Sequence, residues 1–337
     1  MNKEYDIYEL AEIRNELIHL DGFCPSETIR LFEERILNIK NPSLSYLFAR
    51  YVKGANVLAH GQIVIDSKDL KYNYLFPKDI KGSNVRAHGQ VIIENGSLFN
   101  NYEFAKDVEG ADALAHGKII IDSNNLEYIF RFARDVETAD VKALGQIIVE
   151  SKNLELNYNF ARYVKSADIA SHEQVIIDSK SAHYAYYFAK DIKGADIGEH
   201  AQIVIESKDP KYNYNFARYV NGADKASHEK VVIESKNPEY NYLFAANIEG
   251  SDIASLEQVV LESKDTYYNY LFARDVKGAN VNAHGQIVLE SGDLVYNLYF
   301  AEYVNGADKE KHLSEVSNNI SKNEEFQEHV KRLSLLL

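Results

Sequence analysis

The chain has 337 residues, 45% hydrophobic and 26% charged, a composition typical of folded proteins rather than disordered ones. Its net charge of −14 argues against general affinity for DNA or RNA and permits attraction to a basic protein surface. No apolar run of about 18 residues and no signal-peptide pattern occur, and the single cysteine, Cys24, excludes an intramolecular disulfide and a cysteine-cluster metal site. We therefore expect a cytoplasmic protein that does not enter a membrane.

A repeat of 28 residues extends through most of the chain. When the opening residue of each repeat is counted as position 0, position 20 is Phe and position 24 is Val or Ile in ten consecutive repeats. The spacing predicts an N-terminal helical cap over 1–27, an array of ten repeats over 28–307 and a C-terminal capping repeat over 308–337. The repeats open on Thr28, Asn56, Asn84, Asp112, Asp140, Asp168, Asp196, Asp224, Asp252 and Asn280, and the C-terminal cap opens on Asp308.

The sequence pattern of each repeat predicts two short helices, here called helix A and helix B. Helix A begins at the Asp or Asn of position 0, whose side chain can accept the free N–H groups of the first turn. Apolar residues then follow the helical period, although the Val/Ile triplet at positions 7–9 alone would also fit a strand. Helix B follows a second capping residue at position 13, carries Pro210 or Pro238 at its first position in two repeats, and should end at position 26, usually Gly. Pro77 should kink or break its helix.

Two ten-residue helices cannot bury their apolar faces alone, but stacked neighbours form a continuous core. We therefore predict an all-α fold, a right-handed α-solenoid of about ten 28-residue helix pairs with helical caps, the handedness being that of helical repeats in general. The final segment, 324–337, predicts either a cap over the last core face or a dimer contact.

The run around Asp252–Val276 resembles a short helical repeat of uncharacterised bacterial and phage proteins, with a Gly-Ala-Asp-Ile-x-Ala-Leu-Glu-Gln segment followed by Tyr-x-Tyr-x-Phe-Ala-Arg-Asp-Val. The resemblance covers about residues 28–312. It implies the fold and the array but no established chemistry. Position 4 departs from the pattern, because it is mostly His here.

Two polar positions face the predicted core. Position 4 of helix A is usually His but is replaced by Phe32, Leu144 and Leu256, which favours packing. One His per repeat cannot build a metal site unaided. Metal ligands lie about 2 Å from the ion, whereas the histidines of successive repeats should lie about 10 Å apart. Asn at position 17 of helix B should satisfy backbone groups at the turn, with peptide clamping as the alternative. The histidines are His60, His88, His116, His172, His200, His228, His284 and His312, and the asparagines are Asn73, Asn101, Asn157, Asn213, Asn241, Asn269 and Asn297.

A strip of carboxylates at position 10 is the candidate partner-binding site. The position is acidic in nine consecutive repeats and lies outward on helix A, one turn after a position 6 that is mostly Gln. The strip is either a solvated face that pairs with cations at position 22, worth about 0–1 kcal/mol per pair, or a surface that docks a basic partner. Its residues, here called the acidic strip, are Asp66, Glu94, Asp122, Glu150, Asp178, Glu206, Glu234, Glu262 and Glu290.

An alternative binding face combines aromatic residues at position 18 with cations at position 22 of helix B. The i,i+4 spacing predicts that both lie on one outward face, where they could stack bases and neutralise phosphates. A frequent Asp at position 23 would repel phosphate, so packing between repeats and protein contact are the other interpretations. The candidates are Tyr74, Tyr102, Tyr158, Tyr186, Tyr214, Tyr242, Tyr270, Arg134, Arg162, Arg218 and Arg274.

The sequence contains no phosphate-binding glycine loop, nucleophile elbow or zinc-binding His pair. Similar groups spread along a line are typical of a binding scaffold, so we expect no catalysis, cofactor or metal. The leading hypothesis is an extended protein–protein contact, for example a phage or bacterial inhibitor whose acidic strip occupies the basic surface of a nucleic-acid-binding enzyme. The alternatives are sequestration of nucleic acid or nucleotide by the Tyr/Arg face, and a structural protein that forms oligomers, with a homodimer through the C-terminal cap as one form.

Overall fold

A computed structural model describes residues 26–319, which form 21 α-helices and no strand within that range. The helices A, with odd numbers α1 to α21, are Ser26–Ile39, Val57–Ser67, Val85–Asn95, Ala113–Asp122, Val141–Ser151, Ile169–Ser179, Ile197–Glu206, Lys225–Glu234, Ile253–Ser263, Val281–Ser291 and Lys309–Asn319. The helices B, with even numbers α2 to α20, are Pro42–Tyr51, Leu70–Asp79, Leu98–Asp107, Leu126–Asp135, Leu154–Tyr163, Ala182–Asp191, Pro210–Tyr219, Pro238–Asn247, Thr266–Asp275 and Leu294–Tyr303. The predicted all-α repeat of helix pairs is confirmed.

The helices begin at the predicted capping residues. Asn56 accepts a hydrogen bond from the backbone N–H of Ala59 at the start of a helix A, and Asp69 accepts one from Tyr72 at the start of a helix B. The predicted end of helix B at position 26 is wrong. Helix B ends at position 23, and Gly54 at position 26 has φ +88° and forms the turn to the next repeat instead.

Pro77 neither breaks nor shortens its helix, contrary to the sequence-based expectation. Helix α4 runs from Leu70 to Asp79 and has the same ten-residue length as the other helices B. Pro77 is the third residue from its end, so the missing N–H removes one hydrogen bond from the last turn only. The proline ring is buried, which adds apolar contact in that turn.

Position 12, which closes helix A, has a left-handed backbone in all ten repeats from Lys40 to Gly292. The residue is usually Lys, as in Lys208 with φ +54°, whereas Gly96 and Gly292 adopt this conformation without a steric penalty. We expect Lys208→Gly to raise the free energy of unfolding by about 0.5–1 kcal/mol and Gly96→Lys to lower it by a similar amount. Urea unfolding of both variants tests this, and equal midpoints for both would contradict it.

The described residues form two compact units, one up to residue 172 and one from residue 173. Within each unit, nine of the ten helices B pack on the helix A that follows, and consecutive helices B contact each other. The Phe of position 20 is at most 1% exposed in all ten repeats and forms the centre of the core. Each unit is therefore a helical-repeat solenoid in which apolar surface is buried between neighbouring repeats.

Most of the predicted caps, Cys24 and the segment 324–337 lie outside the described residues, while residues 309–319 form the last described helix A. Among the helices of residues 26–319, none combines the length and the apolar character needed to cross a bilayer.

Candidate protein-interaction surface

All nine side chains of the acidic strip are exposed on helix A. In seven repeats the Gln of position 6 donates a hydrogen bond to the carboxylate one turn later, at 2.7–3.2 Å. The Gln amide is neutral and adds no positive charge to the pair. One of the two N–H groups of each Gln is engaged, so the pair presents mainly oxygen acceptors to a partner that supplies N–H donors.

Lysine replaces Gln at position 6 in two repeats. Lys230 Nζ lies 4.0 Å from Glu234, an exposed contact that contributes little. Lys118 is the corresponding residue before Asp122. The negative charge of the acidic strip is therefore reduced in one repeat of each unit.

Five cations of position 22 bind the Asp of position 23, in the same repeat or in the next one, and not the acidic strip. They are Arg50, Lys78, Lys106, Arg134 and Arg274. Arg134 forms a two-bond contact with Asp135 at 2.7 and 2.8 Å, and Lys78 lies 2.7 Å from Asp107 of the following repeat. Hydrogen bonding by Arg134, partly opposed by burial, lowers the pKa of Asp135 below its ordinary value.

Four of the predicted position-18 tyrosine rings are buried, so their predicted outward orientation is wrong, whereas Tyr74, Tyr158 and Tyr242 are half-buried. Tyr102, Tyr186, Tyr214 and Tyr270 are 5–8% exposed and lie between neighbouring repeats. The prediction failed because i,i+4 spacing places position 18 beside the cation but does not reveal that the next repeat covers its ring.

The hydroxyl groups of these tyrosines link consecutive repeats. Tyr74 donates to Asp107 and Tyr102 to Asp135, each at 2.6 Å, and Tyr242 donates to Asp275 at the same distance. The cation of position 22 lies over the ring, with Arg274 Cζ 5.1 Å from the Tyr270 centroid. Tyr, cation and Asp thus form a largely neutralised contact between repeats.

The exposed aromatic residues of helix B include the Tyr of position 23, which sequence analysis missed. Tyr163, Tyr219 and Tyr303 are 50–52% exposed. Arg162 lies over Tyr163 and Arg218 over Tyr219, with Cζ 5.2 and 5.3 Å from the ring centroids. The alternation of Asp and Tyr at position 23 was the available signal, since a residue that varies between these two types is not a core position.

The His and Asn positions, predicted separately, form one buried network across each repeat boundary. Asn73 Nδ2 donates to the carbonyl oxygens of Val64 and Asp69 at 2.8 and 2.9 Å, as expected for an amide that satisfies the turn. Asn73 Oδ1 accepts a bond from Nδ1 of His88 in the next repeat at 2.9 Å. Six such bonds, at 2.6–2.9 Å, join Asn73–His88, Asn101–His116, Asn157–His172, Asn213–His228, Asn269–His284 and Asn297–His312.

The Phe of position 20 packs against the same imidazole. In eight repeats the Phe and His centroids lie 4.6–5.2 Å apart, from Phe48–His60 to Phe300–His312. The eight histidines are at most 1% exposed, so the predicted packing role of position 4 is consistent with their burial. Burial lowers the pKa of His88, His116, His172 and His228 to about 4, which keeps these imidazoles neutral at pH 7.

A third member of the network occurs only where position 5 is Glu. Glu173 Oε1 accepts a hydrogen bond from the backbone N–H of Asp196 at 2.6 Å and lies 3.0 Å from His200 Nε2 in the next repeat. In this repeat Ala185 replaces the Asn that would bind Nδ1. Since a neutral imidazole has one N–H, Glu173 at Nε2 can substitute for Asn at Nδ1.

His284 has both acceptors, Asn269 Oδ1 at 2.7 Å from Nδ1 and Glu257 Oε1 at 3.2 Å from Nε2. Burial lowers the pKa of His284 and the Glu257 carboxylate opposes that change. Two acceptors around one imidazole are both satisfied only when the His284–Glu257 pair holds an additional proton.

No group of three or more His, Cys, Asp or Glu side chains that could hold a metal ion occurs in residues 26–319. Comparison with known proteins gives no match: neither a family model, nor a curated protein, nor a solved structure is similar to the chain.

Proposed function

We propose that the chain is a non-enzymatic binding scaffold that makes an extended contact with a protein through the acidic strip, and that the partner presents a basic surface. One observation carries the proposal. The nine carboxylates are exposed and bonded mainly to Gln, whereas the position-22 cations are engaged with Asp and Tyr within helix B. The excess negative charge of the chain is therefore concentrated on helix A, where it can attract a cationic partner.

The partner class that fits best is a protein whose own ligand is nucleic acid, because such proteins carry arginine- and lysine-rich surfaces. A row of carboxylates at regular intervals presents negative charge to that surface as phosphates do. A phage or bacterial inhibitor acting in this way remains the concrete form of the proposal. The burial of the position-18 rings and the Asp partners of the cations count against the alternative of nucleic-acid sequestration.

The test compares two variants with the same change in net charge. The strip variant replaces Glu206, Glu234, Glu262 and Glu290 with Gln. The control variant replaces four exposed carboxylates outside the acidic strip with Gln, namely Glu109, Glu137, Glu155 and Glu249. Proteins from host lysate that bind the wild-type chain are measured for recovery on both variants, at low and at physiological salt.

We expect the specific partner to be basic, to be retained by the control variant and to be lost from the strip variant by at least about tenfold, since several charge contacts would be removed together. The recovered partner should also lose binding to its nucleic acid when the wild-type chain is added. Equal recovery on both variants would refute the acidic strip as the binding surface. Retention of labelled oligonucleotide by the wild-type chain at low salt would favour the Tyr/Arg alternative instead.

A further inference from the structure

A groove of about 270 Å³ lies between consecutive helices A of the first unit, α9 and the beginning of α11. Gly145 lines one side, and His172 lines the other together with Ser171. A Cβ atom placed on Gly145 would lie 3.5 Å from His172 Nε2, so this nitrogen borders the space that a larger side chain would occupy. His172 is 1% exposed, and its bond to Asn157 engages Nδ1 and not Nε2.

The second unit shows what fits beside such an imidazole. Glu173 corresponds to Gly145 and His200 to His172 in the 28-residue repeat. The Glu173 carboxylate accepts from the backbone N–H of Asp196 and lies 3.0 Å from His200 Nε2. Glu257 makes the same two contacts, at 2.5 Å with the N–H of Asn280 and at 3.2 Å with His284. One carboxylate oxygen therefore serves both nitrogens at Glu173 and at Glu257.

We propose that the groove beside Gly145 binds a small carboxyl-bearing molecule, whose carboxyl group takes the place that the side chain of Glu173 takes beside His200. Asp168 lines the groove and corresponds to Asp196, whose backbone N–H donates to Glu173, so we assign the Asp168 N–H as the donor and His172 Nε2 as the second contact. The volume of the groove leaves room for a short apolar chain beside Val149. This site is separate from the acidic strip and does not depend on the function proposed for that strip.

The hydrogen-bond partners of Asn157 and His172 determine the protonation state of the complex. Asn157 Nδ2 donates to two backbone carbonyls, so its Oδ1 accepts, and His172 carries its proton on Nδ1. His172 Nε2 then has a lone pair, and an ionised carboxylate also only accepts. The complex therefore takes up one proton, either on the carboxyl oxygen or on Nε2.

Two charged side chains border the groove. Asp168 is engaged with Ser171, whose hydroxyl donates to its carboxylate at 2.7 Å, and Lys142 supplies a positive charge. Asp168 favours protonation of the imidazole, while Lys142 attracts the carboxylate before protonation.

Three other boundaries share the Gly–His arrangement, so the site has internal counterparts. A Cβ atom on Gly61 would lie 3.4 Å from Nε2 of His88, and one on Gly89 would lie 3.1 Å from that of His116. The fourth pair is Gly285 and His312, at 3.2 Å. Nε2 of His88 is buried and has no hydrogen-bond partner among the described residues, as expected for an imidazole that lacks a neighbouring carboxylate.

The test is a titration of the full chain with acetate and propionate, followed by NMR of 15N-labelled histidine side chains between pH 5.5 and 7.5. We expect saturable shifts at His172 and at its counterpart His88, which has the same Gly–His arrangement. No shift is expected at His60, His200 and His284, where Glu33, Glu173 and Glu257 already occupy the corresponding place. Affinity should fall about tenfold for each unit of pH increase, because one proton is taken up. Acetamide, which carries both a donor and an acceptor, should bind without this pH dependence.

Two variants control for the location. Gly145→Glu should fill the groove and abolish the shift at His172 while leaving that at His88. Should that variant not fold, His172→Leu provides a second control, because Leu256 already occupies position 4 above an Asn in the native chain. Proton uptake measured by calorimetry in buffers of different ionisation enthalpy should fall by one site in either variant. Equal shifts at His172 and His200, or binding of acetate and propionate that does not depend on pH, would overturn the proposal.

Discussion

The double substitution Asn213→Ile/His228→Leu is expected to restore most of the stability that either single substitution removes. Asn213→Ile leaves the buried Nδ1–H of His228 without its acceptor, and His228→Leu leaves Asn213 Oδ1 without its donor. A buried polar group without a partner costs about 1–3 kcal/mol, so each single variant should lose about that amount. The double variant removes both groups.

The native chain contains this apolar solution once. Ile129 and Leu144 occupy the positions of Asn and His at one repeat boundary, are 0% and 1% exposed, and lie in the same apolar cluster. The carbonyl oxygen of Val204 loses its hydrogen bond from Asn213 in this variant, but it keeps the bond from the Ser207 hydroxyl at 2.6 Å. Asn213 and His228 can therefore be replaced together by an apolar pair.

Urea unfolding of the four proteins gives a double-mutant cycle, in which we expect a coupling energy of at least about 1 kcal/mol. Asn241→Ile serves as the matched control, because Asn241 faces Leu256 and its Oδ1 has no hydrogen-bond partner among the described residues. That variant should lose less stability than Asn213→Ile. Single losses that simply add in the double variant would show that the His–Asn bond does not couple neighbouring repeats.

Acidification from pH 6.5 toward pH 4.5 is expected to destabilise the array steeply, because the buried histidines are protonated more readily in the unfolded chain than in the folded one. His88, His116, His172 and His228 have native pKa values of about 4, below the value of about 6.5 in an unfolded chain. In this interval the unfolded state binds more protons than the folded state. The contribution of these histidines to the free energy of unfolding is therefore complete above about pH 6.5 and is lost as the pH falls toward 4.

Each of these histidines contributes a slope of up to about 1.4 kcal/mol per pH unit within that window. Carboxylates with lowered pKa values, such as Asp135 and Asp275, lose their contribution only at lower pH, which separates the two effects. Urea midpoints measured every half pH unit provide the test. The Asn213→Ile/His228→Leu variant should give a shallower slope by one histidine, and a midpoint that stays constant down to pH 4.5 would refute the assignment.

Much of the local structure could be predicted from sequence because it depends on neighbours within about four residues. The Asp or Asn caps, the helical period and the invariant Phe each carry a short-range physical reason that repeats every 28 residues. The exposure of the acidic strip followed from the same helical period. The end of helix B did not, because Gly at position 26 supports a turn that begins only after the helix has ended.

The amino-acid sequence alone determined that the chain is an array of paired helices, since a helix and its cap are encoded by residues close together in the chain. Tertiary structure alone decided which polar groups meet. His88 lies 15 residues from Asn73, His200 lies 27 from Glu173, and Tyr102 lies 33 from Asp135, and each contact forms only when the next repeat packs in place. The reason is that burial and hydrogen bonding at a repeat boundary depend on the side chains of both repeats, and a pattern read within one repeat contains only half of that information.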